Sequence, residues 1–100
     1  MKTTIYLIRG SSGEYDESRD WPVVAYRDEQ DALFAVGRLD AEGRKLTAGY
    51  EAISDGEDLY DRRKAYRDRH SGGNGDPEFD PGYGPVAYRF MAIELRDGTE

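Results

Sequence analysis

The chain has 100 residues, of which 37% are hydrophobic and 35% charged, and its formal net charge is -7 at pH 7. This length suits one domain and is too short for two, so residues 1–100 are expected to form a single unit. The chain contains no cysteine, which excludes disulfides and thiolate metal sites. No stretch approaches the ~20 apolar residues of a membrane helix, and the apolar start is too short for a signal peptide, so we expect a cytoplasmic protein.

Charge is distributed unevenly along the sequence. Residues 61–70 carry five Lys/Arg and two Asp/Glu, a net charge of +3, whereas residues 1–60 sum to -6 and residues 71–100 to -4. An acidic body repels nucleic-acid phosphates at long range and attracts basic protein surfaces. The charge pattern therefore favours a basic protein or nucleoprotein partner over direct binding of nucleic acid.

The first third of the chain predicts a β-hairpin. Residues 3–9, TTIYLIR, are apolar on both faces, which is typical of a central strand. Gly10-Ser11-Ser12-Gly13 predicts a turn, and an acidic loop tip follows it. Residues 21–26, WPVVAY, predict the second strand, with Pro22 at a strand start or on a sheet edge because it lacks an N–H.

The middle of the chain predicts helices. Asp28 is a good N-cap for a long helix, whose apolar positions recur at spacings of four and three. This stripe consists of Ala32, Val36, Leu39, Gly43, Leu46, Tyr50 and Ile53. Residues 57–70 predict a second helical segment, which either continues the first or folds back. Residues 71–83 are rich in Gly and Pro and predict a mobile loop, and residues 85–95 predict the last strand.

These elements give an α+β fold in the order β-β-α-α-β, with a three-stranded antiparallel or mixed sheet. A right-handed crossover places the third strand beside the first, in the sheet order 2-1-3. The long helix is expected to cover one face, packing on Ile5, Leu7, Val24 and Phe90 or their neighbours. An exposed edge of so small a sheet would allow a homodimer through strand pairing.

Two charged clusters are the candidate binding sites. The first, named here the acidic finger, is a loop tip in which carboxylates surround one tyrosine, a composition suited to a basic protein groove. It consists of Glu14, Tyr15, Asp16, Glu17 and Asp20. The second, named the basic cluster, could contact phosphate or nucleic acid, with Tyr60 and Tyr66 available to stack. It consists of Arg62, Arg63, Lys64, Arg67 and Arg69. A solvated turn and a salt-bridged helix are the corresponding structural interpretations.

No recognisable motif provides a catalytic set, because His70 is the only histidine and no cysteine is present. We therefore expect a protein that is not an enzyme and uses no cofactor or metal. Ser11 and Ser12, or the loop of residues 76–80, leave a small hydrolase as an alternative. Residues 76–80 have carboxylates at alternate positions, faintly like a calcium loop, but their prolines and the lack of a terminal Glu argue against one.

Three segments resemble a group of small, uncharacterised phage and prophage proteins: YLIRGSSGEY from Tyr6, WPVVAYRDEQDA from Trp21 and DPEFDPGYG from Asp76. In that group a Gly-Ser-rich turn with Gly-Glu-Tyr ends the first strand, and a Trp-led strand runs into an Asp-Glu helix start. An Asp-Pro segment precedes the last strand, and the inserted Pro81-Gly82 departs from that pattern. The resemblance implies the fold described above and an origin in a phage or mobile element of a bacterial host.

Small size, an acidic body and this resemblance lead to one functional hypothesis. The chain is expected to be a non-enzymatic inhibitor of a host defence complex, comparable with anti-CRISPR proteins, that occludes a basic surface. The alternative from another class is an accessory protein that contacts nucleic acid through the basic cluster on residues 61–70.

Overall fold

The computed structural model of the protein describes residues 3–13, 18–82 and 85–96. Its elements follow one another in the predicted order, strand, strand, helix, helix and strand. They are β1 (Thr3–Ser12), β2 (Arg19–Tyr26), α1 (Glu29–Glu51), α2 (Leu59–His70) and β3 (Val86–Leu95). The α+β class is thereby confirmed.

The three strands form one antiparallel sheet in the order β2-β1-β3, as predicted. The central strand is longer than expected. Residues 10–12, predicted as a turn, instead continue β1 and pair with β2 on one side and β3 on the other. The turn prediction was wrong because neighbours on both sides satisfy the backbone polar groups of these residues. Gly10 also leaves the space in which the Trp21 indole lies, since a Cβ there would meet Trp21 at 2.8 Å.

α1 covers the face of the sheet that carries Ile8, which has no exposed surface and forms the core with Ala35, Leu39 and Tyr88. The predicted contacts through Ile5 and Leu7 were one residue out of register. Side chains alternate between the faces of a strand, so Ile5 and Leu7 lie on the side away from Ile8. Periodicity could not choose between the faces, because β1 is apolar on both of them.

α1 begins where the sequence predicted. The Asp28 side chain accepts hydrogen bonds from the backbone N–H groups of Gln30 and Asp31, at 2.7 and 3.3 Å. Within the predicted stripe, Ala32, Leu39 and Gly43 are buried, and the helix also buries Ala35. The apolar spacing of α1 therefore predicts which side faces the sheet.

α2 does not continue α1, which answers the question that the sequence left open. α1 ends at Glu51 and α2 begins at Leu59. Asp58, just before α2, has a positive φ of 63°. Tyr66 of α2 donates its hydroxyl to the Leu46 carbonyl at 2.7 Å, and Arg63 donates to the Ile53 carbonyl at 2.6 Å. α2 therefore folds back against the C-terminal part of α1, with Tyr66 in the space left by Gly49.

Both edges of the sheet carry features that oppose further strand pairing. On the β3 edge, the Tyr88 backbone N–H donates to Asp40 of α1 at 3.2 Å. On the β2 edge, Pro22 has no N–H to offer. These are recognised ways of protecting a sheet edge, and they weigh against the predicted homodimer through strand pairing.

The molecule is elongated, with extents of 62 × 28 × 19 Å and a radius of gyration of 16.7 Å. A compact chain of this length would have a radius of gyration of about 13 Å. Among the described residues, the helices leave one face of the sheet uncovered, where Met91 is 49% and Leu95 is 48% exposed. None of the described helices has the length and apolar character needed to cross a bilayer.

The glycines of α1 provide a matched test of how α2 packs. A Cβ at Gly37 would meet nothing within 4 Å, whereas one at Gly49 would come within 2.9 Å of the Tyr66 ring. Gly37→Ala should raise the free energy of unfolding by about 1 kcal/mol through helix propensity. Gly49→Ala should lower it by about 1–2 kcal/mol, because the displaced Tyr66 loses its hydrogen bond and packing. Urea unfolding monitored by circular dichroism measures both, and equal stabilisation by the two variants would contradict the packing of α2.

Candidate functional site

Residues 14–17 of the acidic finger lie outside the described part of the chain, so that part of the predicted site has no geometry to report. The segment joins β1 to β2, whose end residues Ser12 and Arg19 are paired in the sheet. Asp20, the last member of the finger, forms an ion pair with Arg9 at 3.1 Å. Its carboxylate therefore already has a partner within the hairpin.

Two members of the basic cluster bind the backbone beyond the C-terminus of α1. Arg63 donates from Nε to the Ile53 carbonyl, and its guanidinium lies 5.3 Å from the centre of the Tyr50 ring. Arg62 donates from Nη2 to the Asp55 carbonyl. Cations are favoured at the negative end of a helix dipole. These two side chains therefore connect α2 to the end of α1.

Two further members of the cluster form ion pairs. Lys64 pairs with Asp68 one helical turn on, at 2.9 Å, and both side chains are exposed. Arg67 binds Asp80 through two parallel contacts, Nε to Oδ1 at 3.0 Å and Nη2 to Oδ2 at 2.5 Å. The Arg67 guanidinium, helped by the Gly82 N–H, lowers the pKa of the Asp80 carboxyl below its usual value. Arg69 is exposed.

Arg63, Lys64 and Arg67 of the basic cluster border a cleft of about 450 Å³ that also includes Tyr50 and Tyr60. Tyr60 is 77% exposed, so its ring is accessible. All three cations nevertheless have contacts within the chain, and a phosphate would have to compete with Asp68 for Lys64 and with Asp80 for Arg67. The geometry thus favours the interpretation of a salt-bridged helix.

Sequence reasoning missed a polar network beneath α1. Asp76 has no exposed surface, and its Oδ2 accepts hydrogen bonds from Trp21 Nε1 and Tyr88 Oη, both at 2.8 Å. Its Oδ1 accepts from the Glu78 N–H at 3.0 Å. Each carboxylate oxygen therefore has at least one donor, which a buried charge requires.

Asn74 extends the network to α1. Its Nδ2 donates to Tyr88 Oη at 2.8 Å and to the Leu39 carbonyl at 3.3 Å. Burial raises the pKa of the Tyr88 phenol above its ordinary value. Residues from β2, α1, β3 and the loop after α2 are thereby joined at one point. Because Asp76 has no solvent-accessible surface, the network is suited to holding the fold and not to contacting a substrate.

The loop of residues 71–82, predicted to be mobile, packs onto α1 through this network. Phe79 is 1% exposed, and a Cβ at Gly43 of α1 would come within 3.3 Å of its ring. Gly72 donates its N–H to the Phe79 carbonyl at 2.9 Å, which closes the loop on itself. The composition of the loop predicts flexibility, but its buried Asn, Asp and Phe could have indicated a packed turn. Its mobility stays a prediction.

The carboxylates of residues 76–80, the candidates for metal binding or catalysis, are bound to other side chains of the chain. Asp76 is bonded to Trp21 and Tyr88, and Asp80 to Arg67. Across residues 3–13, 18–82 and 85–96, no group of three or more His, Cys, Asp or Glu side chains is arranged to hold a metal ion.

The two serines of the hydrolase alternative line a cleft of about 860 Å³ beside the C-terminal half of α1, where Asp40 and Arg44 also lie. His70 is not among the residues lining this cleft, and its ring packs 4.3 Å from the centre of Tyr66 on α2. The structure therefore does not bring the single histidine together with Ser11 and Ser12.

Comparisons with known proteins add no assignment to this geometry. Neither protein-family models, nor curated protein sequences, nor solved structures gave a match to the chain. The charges and contacts of the chain itself are therefore the basis on which a function is inferred.

The role of Asp76 can be tested with Asp76→Asn. An amide in this position sets its NH2 group against a donor whichever way it is turned, so at least one donor loses its partner. We expect the free energy of unfolding to fall by about 2–3 kcal/mol. Trp21 is the only tryptophan of the chain, so its fluorescence reports unfolding in urea. Asp55→Asn, at an exposed position, is the control and should change stability by no more than ~0.5 kcal/mol.

The Arg67–Asp80 pair predicts a loss of stability in acid. The pKa of Asp80 is lowered from 3.8 in the folded protein, so the unfolded chain takes up the proton first as the pH falls. The contribution of the pair is complete above the unfolded value and is lost as pH falls through the folded pKa. Unfolding free energies measured between about pH 5 and pH 2 should have a shallower slope in Asp80→Asn and in Arg67→Gln. Slopes equal to that of the wild type in both variants would contradict this role.

Proposed function

We propose that this chain is a non-enzymatic binding protein of phage or mobile-element type that inhibits a host defence complex by covering a basic, nucleic-acid-binding surface. The acidic finger would be its main contact, with Tyr15 as the apolar centre. The observation that carries this proposal is the internal use of the basic cluster. The largest block of positive charge in the sequence is bound mainly to carbonyls and carboxylates of the chain itself.

The remaining surface is acidic. Outside residues 61–70 the formal charges sum to -10. Glu29, Asp31, Glu42 and Glu51 are all exposed along α1. A surface of this sign attracts basic grooves over roughly one Debye length, about 8 Å at physiological salt. Such attraction raises association rates and selects partners that normally hold a phosphate backbone.

The proposed mechanism requires only that the acidic finger occupy the basic groove of its partner. Carboxylates seated in a groove that binds nucleic acid pair with the Lys and Arg side chains that otherwise contact phosphates. The finger connects the two strands of a hairpin whose neighbouring residues pair in the sheet, so its base is held by backbone hydrogen bonds. A protein of this kind would compete with nucleic acid for one site and would need no turnover.

The test combines plaque assays with a direct competition measurement. Bacteria with an active defence system should become sensitive to phage when they express the chain. The triple variant Glu14→Lys, Asp16→Lys and Glu17→Lys should abolish this effect. It should also weaken binding to the isolated defence complex by at least about tenfold, because it reverses the charges that meet the basic groove.

The matched control carries the same change in charge at exposed positions away from the finger, Glu42→Lys, Asp55→Lys and Glu57→Lys. It should retain most of the inhibition. Equal losses in both triple variants would show that net charge, and not the finger, is responsible. A chain that protects no phage and leaves nucleic-acid binding by the complex unchanged would overturn the proposal. Binding of the chain itself to a DNA duplex at low salt, lost when the basic cluster is changed to Ala, would favour the accessory-protein alternative.

A further inference from the structure

The cleft beside the C-terminal half of α1 has the dimensions of a small-molecule site. Its volume is about 860 Å³, within the range of roughly 300–1,000 Å³ that is typical of ligand pockets. The ends of β1 and β3 form one wall, and α1 forms the other with Asp40, Arg44, Thr47, Ala48 and Glu51. These five positions lie on the same side of the helix, so their side chains converge on one space.

Ser12 is a buried polar side chain that opens on this cleft. It is 7% exposed and lies on the face of β1 that α1 covers. Its hydroxyl makes no hydrogen bond to residues 3–13, 18–82 or 85–96, although none of their fully buried polar side-chain atoms lacks a partner. The Ser12 hydroxyl therefore reaches the space of the cleft. A buried polar group needs a partner, so this hydroxyl points to a polar group of a bound molecule.

The charged side chains of the cleft have both signs and are not paired with one another. Asp40 and Arg44 lie one helical turn apart, a spacing at which opposite charges often pair. Asp40 instead accepts a hydrogen bond from the Tyr88 N–H through Oδ1, at 3.2 Å, which leaves its Oδ2 available. In the described part of the chain, neither Arg44 nor Glu51 has an ion-pair partner. The wall from α1 thus presents an available cation between two carboxylates.

We propose that this cleft binds a free α-amino acid with an apolar side chain. The carboxylate of the ligand pairs with the Arg44 guanidinium and accepts a hydrogen bond from the Ser12 hydroxyl. Its ammonium group donates to Oδ2 of Asp40, one turn away from Arg44. The apolar side chain lies against Ala48 and Val86, which line the same cleft.

The arrangement of charge favours a zwitterion over a ligand with one sign of charge. A simple anion would meet the carboxylates of Asp40 and Glu51, and a simple cation would meet the Arg44 guanidinium. Like charges brought together at a binding site lower affinity. An α-amino acid carries both charges on neighbouring atoms, so each meets its complement on α1. The site uses no residue of the acidic finger and does not rest on the proposed inhibition of a host complex.

Three matched probes test the site on the isolated wild-type chain by ¹H–¹⁵N correlation spectra. L-Phenylalanine should shift the amide signals of residues 11–12, 44–48 and 86–87, with a Kd of about 1 mM or lower. 3-Phenylpropanoate lacks the ammonium group and phenylalaninamide lacks the carboxylate, so each should bind at least about tenfold more weakly. Equal binding of the three probes would overturn recognition of a zwitterion. Shifts confined to other residues, or no shift at millimolar concentrations, would overturn the site.

Two substitutions separate binding from folding. Ser12→Ala should keep the thermal unfolding midpoint, because the hydroxyl bonds to no described residue, and should weaken binding of L-phenylalanine about tenfold. Arg44→Gln should weaken it by at least as much. Arg38→Gln is the matched control and should leave the Kd unchanged, since Arg38 borders a different groove of α1. Unchanged affinity in Ser12→Ala and Arg44→Gln, or an equal loss in Arg38→Gln, would contradict the proposed contacts.

Discussion

The burial of one carboxylate organises this fold. Asp76 lies in a loop, yet its Oδ2 is the common acceptor for an indole from β2 and a phenol from β3. A buried charge is tolerated only when hydrogen bonds replace the lost water, so these donors and the loop must assemble together. This requirement explains two glycines. Gly10 leaves room for Trp21, and Gly43 leaves room for the loop residues Phe79 and Asn74.

Contacts within the chain also determine which charges remain available at the surface. Arg62 and Arg63 hold α2 against the segment after α1 through two carbonyls, and Arg67 holds the loop after α2 through the Asp80 carboxylate. Lys64 pairs with Asp68 within α2 itself. The positive block of the sequence is therefore largely paired with groups of the chain itself, and the surface carries an excess of acidic residues. A thin, elongated body with an acidic surface suits a protein that acts by covering a partner.

Much of the architecture could be predicted because its signals are local. Three such signals depend only on nearby residues: strand propensity, the Asp28 cap and the spacing of Ala32, Leu39 and Gly43. The rule that crossover connections are right-handed then predicts the sheet order. Residues 10–12 were predicted as a turn because Gly and Ser favour turns, although pairing on both sides keeps them in β1. The Asp76 network could not be predicted, because its members lie up to 55 residues apart. The contacts of Arg62, Arg63 and Arg67 were equally hidden, since their partners come from outside α2.

By itself the sequence determined the class of fold, the order of its elements, the inner side of α1 and the acidic excess of charge. These properties follow from composition and from periods of a few residues. Tertiary structure alone decided which face of β1 is buried, that α2 folds back, and that Asp76 meets Trp21 and Tyr88. Such choices depend on which distant side chains can fill one space and satisfy one another's hydrogen bonds, and no local pattern carries that information.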